Sequence, residues 1–194
     1  MGYTESYYSL SHGTDQQSAQ KIIKEGFLIR GDATSWCGKG VYFYDIKAKA
    51  WWAANRKCSE IRKEIDKKIK PTIILADIEK IPREDIFDLR VKDNLDEFEK
   101  FVLGVIEDSY HISIDSIEDD TERIIQMRAM LVSFFAEQKR CKLVIGNFRQ
   151  RPQPLHEHAI QFADSMDIVF GIETIYCVKD TNILSNIRLG GRKK

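Results

Sequence analysis

Three short stretches of the chain hold residue types that do chemistry when brought together. Ser11-His12-Gly13-Thr14 offers an imidazole, a backbone that no side chain shields and a hydroxyl in succession. Gly38-Lys39-Gly40-Val41-Tyr42-Phe43-Tyr44-Asp45 runs from a glycine turn into aromatic residues, which can give a flat apolar platform to a planar ring. Ile172-Glu173-Thr174-Ile175-Tyr176-Cys177-Val178 sets one carboxylate at the head of an apolar run. A carboxylate held in a fold stabilises positive charge developing beside it. Singly, each residue also has a plain structural use. His12 can lie at the surface beside a helix cap, Thr14 can be the N-cap, Tyr42 at alternating spacing can pack a core, and Glu173 can end a strand in water. Their order along the chain is what points to a shared site.

Other candidates are weaker. Glu157 and Glu137 are rival carboxylates, but neither heads a late apolar strand. His156 and His158 flank Glu157 without the i, i+4 spacing of a helical metal pair, so they read as surface residues and no metal site is predicted. Asn147-Phe-Arg-Gln-Arg-Pro152 is a polar loop whose Arg149 and Arg151 could meet a phosphate, although a solvated loop is the simpler reading.

The elements that must position these residues follow from periodicity. Tyr7 to Leu10 reads as a short strand leading into His12. A helix from about Asp15 to Glu25 follows, with Ala19, Ile22 and Ile23 as its apolar stripe. Thr14 with Gln17 fits a capping box, and Gly26 suits the residue past the helix end. Residues 28 to 37 form a short loop and Val41 to Tyr44 a strand rich in aromatic and branched residues. A charged helix runs from Lys47 towards Lys68, stopped before Pro71. Thr72 to Ile78 is a buried strand and Glu84 to Leu89 another short one. Two amphipathic helices follow, the first on Leu95, Phe98, Val102, Val105 and Ile106, the second on Ile124, Met127, Leu131, Phe134 and Phe135. Strand Lys142 to Ile145, an unassigned stretch around Leu155 to Phe162, strand Ile172 to Val178 and a short element Asn182 to Leu189 complete the chain. Residues 190–194 read as a basic tail.

With 194 residues and 43% hydrophobic content, the chain suits one domain, residues 1–189, with a sizeable core. A formal net charge of zero excludes an argument from bulk electrostatics. Charge is nonetheless segregated. Lysines and arginines crowd 47–70 and carboxylates crowd 93–122, which reads first as two solvated helix faces and second as a basic helix for a nucleic acid or an acidic partner. Cys37, Cys58, Cys141 and Cys177 show no C-x-x-C spacing, so free thiols in a reducing cytoplasm are expected. The N-terminus has neither the basic region nor the apolar run of a signal peptide, and no segment has the length of a membrane span.

The order His-Gly-Thr, amphipathic helix, glycine, then G-K-G-V-Y-F-x-D resembles the donor site of poly-ADP-ribose polymerases, which share a His-Tyr-Glu arrangement with diphtheria-type toxins. The likeness extends through the helix Lys47 to Ala54 and returns in E-T-I-Y-C-V, covering roughly the first 55 and last 25 residues. It implies an α+β domain of two small mixed sheets around an NAD+ cleft, with a helical insertion from about residue 91 to 140. It implies transfer of ADP-ribose from NAD+ to a macromolecular acceptor, protein or nucleic acid, without a metal. Glu173, by resemblance, would stabilise the charged ribose and bond its 2′-hydroxyl. Tyr42 would stack on nicotinamide, Gly13 would bond its carboxamide with help from Thr14, and His12 would bond the adenosine ribose. Tyr44, on the same side of the strand, is the alternative stacking residue.

The chain departs from that pattern. The second aromatic wall, a tyrosine in the polymerases, has no tyrosine here; Trp51 or Trp52 is close enough in register to replace it, with helix-face packing as the equal alternative, and a small hydroxyl residue is replaced by Ala50. The loop from Arg30 to Cys37 is short, which would leave the site more open. A small chain of this kind resembles bacterial or phage effectors and toxins, which implies an antitoxin or immunity protein as partner. Hydrolysis of NAD+, a non-catalytic ADP-ribose or nucleotide-binding module, and the RNA 2′-phosphotransferase relatives are the alternatives; the last use arginine-rich sites that Tyr42 and Glu173 do not match.

Overall fold

The computed structural model describes residues 2–29, 35–65, 69–108, 120–149 and 172–191. The predictions for His156, Glu157, His158, Arg151, the stretch Leu155 to Phe162, the loop at 30–34 and the end of the tail lie outside the described residues.

The strand predicted at Tyr7 to Leu10 is only part of β1, Thr4–Asp15, which continues through His12, Gly13 and Thr14. It is long because β3, Pro71–Pro82, pairs with it along its length, from Thr4 against Pro82 to Asp15 against Pro71. A bulge interrupts the ladder between Tyr7 and Leu10, where Ser9 has a φ of 56°. Asp77 stabilises that kink by accepting the Ser9 N–H at 2.6 Å. Asp77 also takes Asn186 Nδ2 at 2.7 Å and Arg188 Nη1 at 3.2 Å, so this buried carboxylate is fully engaged.

Because β1 runs to Asp15, the cap of α1, Gln16–Glu25, shifts by one residue from the prediction. Asp15, not Thr14, is the N-cap, and its carboxylate accepts the Ser18 N–H at 2.8 Å. Gly26 ends the helix with φ 83°, its N–H returning to Ile22 O at 2.9 Å. β2, Val41–Tyr44, and α2, Lys47–Ile65, start where periodicity put them.

β4, Ile86–Asp88, pairs in parallel with β5, Leu143–Arg149. A parallel pair needs a long crossover, and α3, Lys92–Asp108, with α4, Asp120–Gln138, lies in that connection. The polar loop expected at Asn147 is therefore still strand as far as Arg149. β6, Ile172–Val178, pairs with β5 and β2, and β7, Leu184–Gly190, closes the far edge on β3.

The two sheets expected from the resemblance are not seen as separate sheets. One mixed seven-stranded sheet has the order β4-β5-β6-β2-β1-β3-β7. Its seam is thin, since β1 and β2 register only at Ser11–Tyr44, reinforced by Ser11 Oγ donating to Tyr44 O at 2.8 Å. Ile86, Leu143, Tyr176, Phe43, Leu10, Ile74 and Ile78, with Leu184 against them, share one buried cluster. Seven strands laid flat at about 4.8 Å spacing could not bring both edges to one cluster, so the sheet coils around this core. Leu10, His12, Val41 and Phe43 face inwards by alternation; Ser11, Gly13, Tyr42, Tyr44, Ile175 and Cys177 face the helices.

Candidate functional site

The seam between β1 and β2 gathers most of the predicted residues. Past Ser11 the two strands have no registered pairs, and the His12 side chain spans the gap, with Nδ1 2.8 Å from Tyr42 O. A carbonyl only accepts, so Nδ1 carries the hydrogen. Burial lowers the His12 pKa to about 4, outweighing the hydrogen bond to Tyr42, which raises it; Lys57 lowers it further. The imidazole is thus neutral near pH 7 and keeps Nε2 as an acceptor. Phe27 and Phe43 pack on the ring at 5.2 and 5.7 Å between centroids and fix its plane.

His12, Thr14 and Tyr42 line a cavity of about 360 Å³, closed by Ser18, Ile22 and Phe27 from the α1 side and by Lys57 of α2. Lys57 donates to Thr14 Oγ1 at 2.9 Å and pairs with Asp15 Oδ2 at 3.1 Å. Burial raises the Asp15 pKa, but the bonds from Ser18 and the Lys57 charge outweigh it and hold the carboxyl at about 2. With Asp15 as the cap, the Thr14 hydroxyl is released from that role and is turned to Lys57.

Tyr42 is anchored at its far end. Its hydroxyl donates to Gly38 O and accepts the Cys37 N–H at 3.0 Å. Burial is the main cause raising its pKa far above that of a free phenol. The 37–40 loop is held in turn by Lys179, whose ammonium donates to Cys37 O at 2.5 Å and Lys39 O at 2.7 Å. Gly40 is required here, because a β-carbon on it would stand 2.4 Å from Cys177 Sγ. Cys37 and Cys177 are buried thiols, as are Cys58 and Cys141.

Gly13 has a use that its sequence context did not reveal. A β-carbon there would lie 2.0 Å from Ala50 O and 2.7 Å from Ala54 N. The glycine lets α2 lie against β1, and the small Ala50 and Ala54, both fully buried, complete that contact. Ala50, read as a lost hydroxyl, is thus the residue that permits close packing.

The two tryptophans separate. Trp51 is half-buried and packs with Tyr44 in the cluster of Ala50, Ile73 and Leu75, whereas Trp52 is 54% exposed. Neither lines the cavity, and Tyr44 does not either. Tyr44 pairs with Ile175 on β6, and Glu173 lies two residues further along that strand on the same face. Glu173 is 8% exposed, far from the solvated strand end it could have been. The Lys49 ammonium, in the first turn of α2, lies against its Oε1 as an ion pair. The structure therefore brings His12, Thr14 and Tyr42 to one cavity and Glu173 to Lys49, with α2 packed on Gly13 between them. It does not put Glu173 on the cavity wall.

Comparison with protein-family models, characterised proteins and solved structures finds no match for this chain. The functional reading therefore rests on the side chains.

Lys49, Lys57 and Ser18 were not singled out from sequence. Lys49 and Lys57 were hidden in a basic run. For Lys57 the signal was position, since Ala50, Ala54 and Lys57 follow at helical spacing behind the Tyr42 strand. Glu137 is exposed near the end of α4. Among the described residues no three His, Cys, Asp or Glu side chains gather as metal ligands would, and no helix is long and apolar enough to cross a membrane.

Proposed function

We propose that this α+β chain is an NAD+-dependent ADP-ribosyltransferase akin to the His-Tyr-Glu enzymes, moving one ADP-ribose unit to a macromolecular acceptor. The observation that carries the reading is the neutral His12, held on the Tyr42 carbonyl at a parted strand seam beside a cavity of about 360 Å³. A cavity near the lower end of the range for small-molecule sites suits the adenosine end of NAD+ rather than the whole dinucleotide. His12 Nε2 would accept from a hydroxyl of the adenosine ribose, and the remainder would run along the seam, past Tyr42, towards the Glu173 side.

In the reaction the bond between ribose C1′ and nicotinamide breaks, and its electron pair leaves with neutral nicotinamide. Positive charge spreads over C1′ and the ring oxygen, as in glycoside cleavage. The acceptor oxygen or nitrogen then bonds C1′ and releases its proton. Glu173 opposes the developing charge and can take the ribose 2′-hydroxyl. In this reading Lys49 is the counter-ion that holds the carboxylate in place until substrate arrives. The resemblance to diphtheria-type toxins makes an antitoxin or immunity protein a further partner in this reading.

Labelled NAD+ incubated with the protein in a cell lysate tests the proposal. Label should pass to protein or nucleic acid, with nicotinamide released in step, and Glu173→Gln should abolish transfer while keeping NAD+ affinity. Fast release of free ADP-ribose with no macromolecule present would mark hydrolysis instead. No turnover at all, with NAD+ unbound, would reject the reading.

A further inference from the structure

Resting on the transferase reading, we infer that the outer face of α2 holds a single-stranded nucleic acid, with Trp52 as the platform on which one of its bases stacks. Of the three tryptophans, Trp36 is packed against Phe148 at 5.0 Å between centroids and Trp51 is packed against the cluster of Ala50, Ile73 and Leu75. Trp52 alone among them is mostly exposed. It is not bare, since the Arg56 guanidinium lies 5.7 Å from its ring centroid and is steadied by Glu60 at 3.0 Å. An exposed indole with a guanidinium beside it offers a base both a stacking face and a cation.

Position links this platform to the proposed chemistry. Lys49, Trp52 and Arg56 follow at steps of three and four residues and so share one face of α2. Lys49 is the residue against Glu173. A base on Trp52 would set its neighbouring nucleotide about one helical turn away, beside the carboxylate. α2 carries six lysines and arginines against two glutamates, and Lys47 and Lys63 on it are exposed. That excess suits a phosphate backbone. The strand must be single, because in a duplex the face of each base is already covered by its neighbours. An acidic protein would use the lysines and could also bury the indole, so competition by polyglutamate separates that occupant from an oligonucleotide.

Fluorescence anisotropy with a labelled mixed-sequence RNA of about twelve nucleotides, and with DNA of the same sequence, tests this. At low salt the intact chain should bind at least one of the two and lose affinity steeply as salt rises. Trp52→Ala should weaken binding about tenfold, and Trp52→Phe should recover most of the loss, with thermal midpoints showing all three folded. Absence of binding to either strand at low salt would overturn the inference. So would equal binding by Trp52→Ala, which would leave only a diffuse cationic surface, or displacement of the chain by polyglutamate as readily as by unlabelled oligonucleotide. Nicotinamide release by the intact chain is measured separately. Its failure, with Trp52-dependent binding intact, would remove the transferase reading and leave the nucleic-acid surface standing.

Discussion

Gly13→Ala distinguishes two uses of one glycine. If Gly13 is small so that a ligand amide can reach its backbone, the added methyl should weaken NAD+ binding and leave the fold alone. The geometry gives a different result. The new carbon would stand 2.0 Å from the Ala50 carbonyl oxygen and 2.7 Å from the Ala54 nitrogen, both backbone atoms of α2. Carbon and oxygen rest at about 3.3 Å or more, so the helix must retreat by roughly 1 Å. Overpacking of this kind costs about 1–3 kcal/mol, a sizeable part of the ~5–15 kcal/mol that holds a domain together. For a chain of this length that is a fall of about 2–12 °C in melting temperature. Two other glycines calibrate the effect. Gly191 has nothing within 4 Å of its virtual β-carbon, and alanine there should be neutral. Gly26 is equally open but has φ 83° with ψ 178°, a region essentially confined to glycine, so alanine should cost about 1–3 kcal/mol from the backbone alone. Urea unfolding should place the Gly13 and Gly26 variants both below the Gly191 variant. A Gly13→Ala protein as stable as the parent, with a raised KM for NAD+, would refute the packing argument and restore the ligand-contact role.

Three further outcomes follow from the same geometry. His12 has its pKa lowered to about 4 in the fold, against 6.5 when exposed, so the unfolded chain binds a proton that the native one refuses. Stability from this group is present above pH 6.5 and falls by up to about 3 kcal/mol as pH drops to 4; urea midpoints across that range should show it, and His12→Gln should flatten it. Lys179→Met removes the ammonium that holds the Cys37 and Lys39 carbonyls and should lower stability by about 1–3 kcal/mol, with protease cleavage near residue 38 appearing first. Asp77→Ala strips Ser9, Asn186 and Arg188 of their shared acceptor in a buried setting; calorimetry should show a loss of about 3 kcal/mol.

The sequence made some of this plain and hid the rest for physical reasons. α1, α2, β2 and β6 were legible because apolar spacing and glycine punctuation are local signals. β1 was cut short because Ser11, His12, Gly13 and Thr14 have no strand-like hydropathy. They are held by the ladder to β3 and by tertiary partners such as Tyr44 O and Lys57, which no local window contains. The same extension moved the cap of α1 from Thr14 to Asp15. His12, Thr14 and Tyr42 were found as a group because they flank one seam. The packing use of Gly13 and Ala50 was not legible, since close packing and close ligand approach both select small residues. The choice between Trp51 and Trp52 also needed coordinates. Both lie on a charged helix, and only its rotation against Ile73 and Leu75 of β3 decides which is covered. The pairing of Lys49 with Glu173 spans most of the chain and left no trace in spacing.

A crystal structure of the protein with an uncleavable NAD+ analogue tests the central claim most directly. The account predicts adenosine beside His12, nicotinamide against an aromatic face of β2, and a Glu173 oxygen about 2.5–3.0 Å from the 2′-hydroxyl of the nicotinamide ribose. An analogue bound with that hydroxyl beyond the reach of Glu173, or bound away from the His12 cavity, would contradict it.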